Sequence, residues 1–349
     1  VNKTLKAGLV SLVRYTGLGL PLRRRFGGCG IILALHEVQL NPAAELKTGS
    51  SPSFLTEILQ GLRSEGWEFV SLDEALRRLG DGNETPPFAV VTFDDGYRDT
   101  LTNALPVLQR LSIPCTVFVP SGTVTRDLFA WWLALRTLLR SRDEITIECM
   151  DRRFTCPDFN RKVAALETIR HWVGRDLRRS HQLAPTFARY RVSLEALAEA
   201  YFLDENELRK LAADPLVTVG GHTASHAALP LLDASEARAE MADNRAFLER
   251  LLGRRIAHFA YPYGRADAAC GGREALLAQE VGFDSAVIGQ GGPVFPKHRE
   301  RLYGLPRIGI RPDETFATLY YRASGMRRSL KESWRRRIEG EPLRSTWNS

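Results

Sequence analysis

The sequence predicts an α/β barrel of seven or eight strands, broken by a largely helical insertion. Short apolar runs of strand length alternate with helical stretches, the signature of a parallel sheet or barrel. Several of those runs end directly on polar or acidic residues, as strands that open onto a functional face do. The alternation then lapses for roughly ninety residues after Pro120, longer than an ordinary βα connection, before it resumes.

Residues 31–35, a continuous apolar run, stop at His36-Glu37, as a buried parallel strand opening onto a loop would. A helix is expected over 53–64 and a short strand over 68–70. Ser71 with Glu74 reads as a capping box for a helix over 72–79. Residues 88–93 form the clearest strand and run into Asp94-Asp95-Gly96. A helix over 103–111 and a strand over 115–119 follow. Within the lapse, 128–139 reads as a helix carrying Trp131 and Trp132, 145–148 as a small strand, and 161–175 and 193–201 as helices. An inserted piece of this kind is usually a cap that shapes a substrate site, though it also occurs as padding. Alternation resumes with strands at 217–219, 258–260 and 285–287, separated by helices over 235–251 and 273–279. The last strand, 305–310, holds Pro306 near its start, where a missing N–H is least harmful. The expected organisation is an amino-terminal helical segment (1–29), barrel (30–124), insertion (125–215), barrel (216–322) and basic tail (323–349).

A chain of 349 residues buries a full core without a metal to hold it folded, so any metal is expected to be catalytic. Its 44% apolar and 26% charged residues are those of a soluble globular protein. The formal charge is +7, with arginine runs at 23–25, 175–179 and 335–337. Such runs suit phosphate-rich surfaces, but solvated helix faces carry them too, and no nucleic-acid partner is expected. The five cysteines form neither an even disulfide framework nor a zinc knuckle, which suggests reduced thiols and a cytoplasmic setting. No run is long enough to span a bilayer, and the first residues lack a convincing signal-peptide cleavage site. A helix over 5–18, apolar at Leu5, Leu9, Leu12 and Val13, either docks on the protein or makes peripheral membrane contact. The oligomeric state stays open.

Asp94 and Asp95 stand at the end of the strongest strand, where α/β folds place their chemistry. Neighbours on an extended backbone point to opposite sides, so one carboxylate can ligate a metal while the other approaches a water beside it. Gly96 permits the sharp exit. The same three residues also make an ordinary turn. After residues 217–219 comes Gly220-Gly221-His222-Thr223-Ala224-Ser225-His226. If that segment turns helically, both imidazoles project to one side and, with a carboxylate, form the nitrogen-nitrogen-oxygen set of a catalytic zinc. Alone, the histidine pair is weak; its position after a strand, like that of the aspartates, strengthens the joint reading.

Thr92-Phe93-Asp94-Asp95-Gly96, His222-Thr223-Ala224-Ser225-His226 and Phe259-Ala260-Tyr261-Pro262-Tyr263-Gly264, in that order, resemble the NodB-homology polysaccharide deacetylases, carbohydrate esterase family 4. The resemblance implies a distorted (β/α)7 barrel, TIM-like in plan, that hydrolyses N-acetyl groups on a saccharide, glycan or glycolipid precursor. It assigns Asp94 as base, Asp95, His222 and His226 as ligands of a divalent transition metal, zinc foremost, and the Tyr263 N–H to the oxyanion. Two positions depart from the family. Ala260 stands where an arginine commonly orients the base, and Pro306-Arg307-Ile308 replaces a late-strand histidine. The sequence resembles a branch related to poly-N-acetylglucosamine deacetylases, in which the acid comes from the first strand, and this matches His36. Arg307 is the candidate to stand in beside Asp94. Trp131, Trp132 and Tyr261 are candidates for an aromatic wall against a sugar ring, although paired tryptophans on a helix also pack cores. His258 looks like a strand-start residue. Competing readings are a deacylase of a small non-sugar amide and a catalytically impaired carbohydrate-binding relative.

Overall fold

The computed structural model describes residues 8, 10, 26–46, 48–81, 86–264, 270–311 and 314–329. Apart from residues 8 and 10, the helix expected over 5–18 lies outside the described residues, as does the tail beyond 329. Ten strands are described: β1 (Gly30–Leu35), β2 (Glu68–Phe69), β3 (Phe88–Phe93), β4 (Cys115–Val119), β5 (Glu144–Ile147), β6 (Arg152–Thr155), β7 (Val217–Gly221), β8 (His258–Ala260), β9 (Ser285–Gly291) and β10 (Leu305–Gly309). Seven of them close a parallel ring in the order β1-β10-β9-β8-β7-β4-β3, with β3 returning to β1. The fold is thus the distorted (β/α)7 barrel. β2 pairs with the start of β3 outside the ring.

Strand alternation sorts the side chains. Ile31, Leu33 and Leu35 of β1 and Ala89, Val91 and Phe93 of β3 face the surrounding helices, while Ile32, Phe88 and Val90 belong to the barrel's inner core with Phe118, Ala260, Val287 and Leu305. Period two therefore turns Thr92 and Asp94 toward the interior, where Arg307 of β10 also lies buried. A register shift between β9 and β10 at Pro306/Arg307 loosens the ring there and leaves Gly289 and Gln290 without ladder partners at the cavity wall.

The outer helices are α1 (Pro52–Ser64), α2 (Leu72–Asp81) and α3 (Leu105–Leu111), then α4 (Ser121–Val124), α5 (Trp131–Ser141), α6 (Phe159–Gly174), α7 (Ala184–Arg189), α8 (Leu194–Tyr201), α9 (Glu205–Ala212), α10 (Ala234–Leu252), α11 (Gly272–Val281) and α12 (Phe316–Ala323). Ser71 accepts from the Glu74 N–H, but Glu74's carboxylate turns to Arg77 and Arg78, so only half of the expected capping box forms. A π-helical turn, Thr100–Ala104, precedes α3.

The insertion has a hydrophobic core of its own, built from α5 to α8 and the β5–β6 hairpin. Its edges are sharp. Val124 packs with the barrel and Leu128 with the insertion; Phe202 belongs to the insertion and Leu203 to the barrel. The expected span 125–215 was therefore too long at its end, because α9 buries Leu208, Leu211 and Ala212 against the barrel.

Candidate metal centre

Asp95, His222 and His226 converge, their ligand-type atoms all within 4.8 Å of one another and all three residues buried. Asp95 Oδ1 stands 3.3 Å from Nε2 of both imidazoles. It accepts no hydrogen bond in this geometry, a costly state for a buried oxygen unless a cation completes it. Nδ1 of His222 lies 2.6 Å from the Ala260 carbonyl, which can only accept. That contact puts the proton on Nδ1 and frees the Nε2 lone pair for a ligand. Burial lowers the pKa of His226 against the pull of Asp95, favouring the neutral ring that a metal needs. Burial alone would raise Asp95, yet the two imidazoles at its oxygen hold it well below the usual carboxylate range. The donor set fits a zinc-class ion with open positions.

The histidine segment does not turn helically, as the spacing suggested; it leaves β7 as a loop. Thr223 (φ 63°) and His226 (φ 57°) take left-handed conformations, which bend the chain so that both rings face Asp95. Asp95 (φ 70°) and Tyr263 (φ 62°) do the same. Left-handed backbone at non-glycine residues costs about 1–3 kcal/mol each and persists only where surroundings over-determine it. Those surroundings are visible. The His222 N–H donates to Asn244 Oδ1 at 2.9 Å, and Asn244 Nδ2 donates to the Val119 carbonyl at 3.0 Å. Ser225 gives its N–H and hydroxyl to Glu240. Sequence reasoning missed Asn244, although a signal existed: it interrupts the buried stripe Ala237, Met241, Leu248 of α10 with a polar side chain.

Asp94 sits inside the barrel mouth, held by Arg307 through two bonds of 2.7 Å. Arg307 also donates to Thr92 Oγ1 (2.9 Å) and to the Ile288 carbonyl (3.2 Å), and lies over the Phe118 ring. Burial works against ionisation of Asp94, but Arg307, His222 and the hydrogen bonds outweigh it, leaving its pKa below the ordinary value. His36 Nε2 stands 3.9 Å from Asp94 Oδ2, with the ring half exposed to the cavity. The Tyr263 ring packs 4.8 Å from His226, and the Tyr263-Gly264 turn presses on β9, where a Cβ on Gly264 would come within 2.6 Å of the Gly289 Cα.

These residues open into a cavity of about 1140 Å³, walled on one side by the barrel loops and on the other by the insertion. Trp131 and Trp132 line it. The Trp132 ring lies 5.0 Å from His226, and its Nε1 donates to Tyr97 Oη at 2.7 Å. Tyr261 does not serve as expected. Its ring is fully buried edge-on to Phe259 and its hydroxyl donates to the Tyr303 carbonyl, so it presents no face to a sugar. His258 is buried in the barrel between Ser285 and Asp73. In the cavity wall, Glu37 forms a buried bidentate pair with Arg136 of α5 at 2.7 and 2.8 Å. Neither residue was anticipated.

The sequence pattern described as polysaccharide deacetylase matches residues 81–283. Poly-beta-1,6-N-acetyl-D-glucosamine N-deacetylase of Escherichia coli K12 is 30% identical over 129 residues, 32% of this chain and 19% of that protein. The chain thus spans about a fifth of the length of that curated relative. Among solved structures, the deacetylase PplD of Streptococcus pyogenes in complex with acetate aligns with a TM-score of 0.56 at 17% identity, covering 84% of this chain and 97% of that one. IcaB from Ammonifex degensii aligns with the same TM-score at 18% identity, covering 86% and 98%. At those identities the structures speak for the fold. With the family pattern covering more than half of its length, the chain belongs to the polysaccharide deacetylases of the NodB-homology type, carbohydrate esterase family 4.

Proposed function

We propose that the protein is a metal-dependent carbohydrate N-deacetylase that releases acetate from an N-acetylated saccharide or glycan. The observation that carries this reading is the buried Asp95-His222-His226 set beside an ionised Asp94 that Arg307 holds in place. Zinc is the ion that the donor set suits best, and when bound it supplies Lewis acidity and an acidified water. Asp94 takes the proton of the attacking water. Its lowered pKa keeps it in the basic form through the neutral range, and Arg307 fixes both carboxylate oxygens so that the accepting lone pair does not swing away. The Tyr263 N–H, on its left-handed turn, is the donor for the charge that develops on the acetyl oxygen. His36 delivers a proton to the departing nitrogen, without which the tetrahedral intermediate returns to amide. Trp132, partly exposed in the cavity wall, offers the aromatic face for the sugar ring, and Trp131, buried in the insertion's core, backs it edge-on.

The test pairs metal content with acetate release from short N-acetylglucosamine oligomers. The D94N protein should keep its zinc and lose turnover, while H222A/H226A should lose both. Full activity in D94N, or stoichiometric zinc in H222A/H226A, would contradict the assignment.

A further inference from the structure

The metal centre occupies the floor of a cavity whose volume slightly exceeds the roughly 1,000 Å³ upper end of ordinary small-molecule sites. Its outer wall is basic. Arg170 and His171, in the last turns of α6, and Arg175, just past its end, line the cavity together with Arg311, just past β10. Of the four lining carboxylates, Glu37 is held by Arg136, Asp94 by Arg307 and Asp95 belongs to the metal set, which leaves Glu167, 3.8 Å from Arg170. Among the described residues, Arg175 and Arg311 pair with no carboxylate, and both are exposed. We propose that this rim binds an anionic group, a phosphate or a carboxylate, carried by the N-acetylated saccharide, so that the preferred substrate is a charged sugar derivative and not a neutral oligomer. The proposal rests on the deacetylase reading for the acetyl group and adds the charge of the molecule that bears it.

A plainer explanation accounts for only part of the rim. Cations gather at the C-terminal end of a helix because they complement its dipole, which suffices for His171 in the last turn of α6 and Arg175 just past it. It does not explain why the cavity side carries them, nor why Arg311, from a different element, faces the same space. The neighbouring arginines behave differently. Arg179 lies over Trp172 and donates to its carbonyl at 3.0 Å, and Arg178 stands 4.0 Å from Asp176. Of the arginine run 175–179, Arg175 alone lines the cavity. Guanidinium groups suit phosphate and carboxylate because their planar donors match two oxygens at once. The inner cations of the cavity do not compete for this role, since Arg136 is bound to Glu37 and Arg307 to Asp94.

The experiment uses the zinc-loaded full chain and three matched ligands: N,N′-diacetylchitobiose, its 1-phosphate and its aldonic acid. Acetate release and calorimetric binding are both measured for the native protein, R175E, R311E and R175E/R311E. The native protein should favour the phosphate over the neutral sugar by about 100-fold at low salt, each of the two arginines contributing about 10-fold through a charge-assisted bond. The preference should fall toward one in the double variant and shrink as salt screens the rim. An equal preference for the aldonic acid assigns the rim to anions in general, and a preference confined to the phosphate assigns it to phosphate. Equal treatment of neutral and anionic sugars by the native protein, or a preference the double variant keeps, overturns the proposal and leaves the deacetylase reading standing. If none of the three releases acetate, the deacetylase reading fails, and the binding ratios by themselves decide the rim.

Discussion

Asp94 and Arg307 carry two unit charges into a barrel interior where neither is stable alone, so removing one partner is the sharpest residue-scale probe. Arg307→Met should destabilise the protein by about 3–5 kcal/mol, the cost of stranding a buried charge, with Arg307→Lys intermediate. The sign of the pH effect follows from the lowered Asp94 pKa. A depressed folded value contributes stability above the unfolded carboxylate pKa of about 3.9 and loses it as pH falls through the folded value. Without Arg307 that advantage goes, and acid denaturation should begin at higher pH; unchanged acid midpoints would argue against the pair. For His36, replacement by Gln should lower amide hydrolysis by about 10²–10⁴-fold with zinc retained, and far less for an activated phenyl acetate, whose leaving group departs unprotonated. Equal losses on both substrates would remove His36 as the acid. That Asp94, Asp95, His222 and His226 come together was legible because each motif is short and local: Asp94-Asp95 follows one strand and the histidine pair follows another. Their supports were not, because Glu37 meets Arg136 across 99 residues and Asn244 meets His222 across 22.

The elements were read well where period two or a breaker marked them; inside the insertion α5, β5, α6 and α8 lie within a few residues of their expected places, while β6 and α7 were not foreseen. β6, with the sequence Arg-Arg-Phe-Thr, shows one buried side chain and was missed, although it pairs with β5 over four residues. Besides Trp132 against His226, the insertion meets the candidate site through the ion pair between Arg136 of α5 and Glu37, the residue after His36. Arg136 also holds Thr48 and Glu45, while burial and Glu37 push the neighbouring Asp99 carboxyl, which accepts from the Val38 N–H, up to about 8. Arg136→Met should therefore cost about 3–5 kcal/mol and lower kcat by loosening the His36 loop. Adding Glu37→Gln should recover part of the stability, because Glu37 is then no longer a stranded carboxylate and Glu45 keeps Arg140. A double variant whose loss equals the sum of the two single losses would show that the pair is not coupled. Trp132 and Arg136, four apart on one face of α5, both line the cavity, and that spacing was the signal available in the sequence.

At the scale of the whole molecule, the barrel class followed from strand-helix alternation, but its closure could not, because β1 must pair with both β3 and β10, which are far apart in the chain. Closure brings Arg307 of the last strand beside Asp94 of the third, and the insertion then walls one side of the resulting mouth. Among the described residues no helix is long and apolar enough to cross a membrane. Since the metal set is buried and joins β3 to β7, zinc should bind the folded chain alone and stabilise it, by about 4 kcal/mol at a free concentration 1,000 times Kd. A melting temperature unmoved by zinc would oppose that. The most direct test of the account strips the protein with a chelator and returns zinc stepwise while acetate release from N-acetylglucosamine oligomers is followed. Stripped protein should release none, and activity should rise in proportion to zinc until one ion per chain is bound. Acetate release at the full rate from stripped protein, or one tightly bound zinc with no acetate from any N-acetylated saccharide, would contradict it.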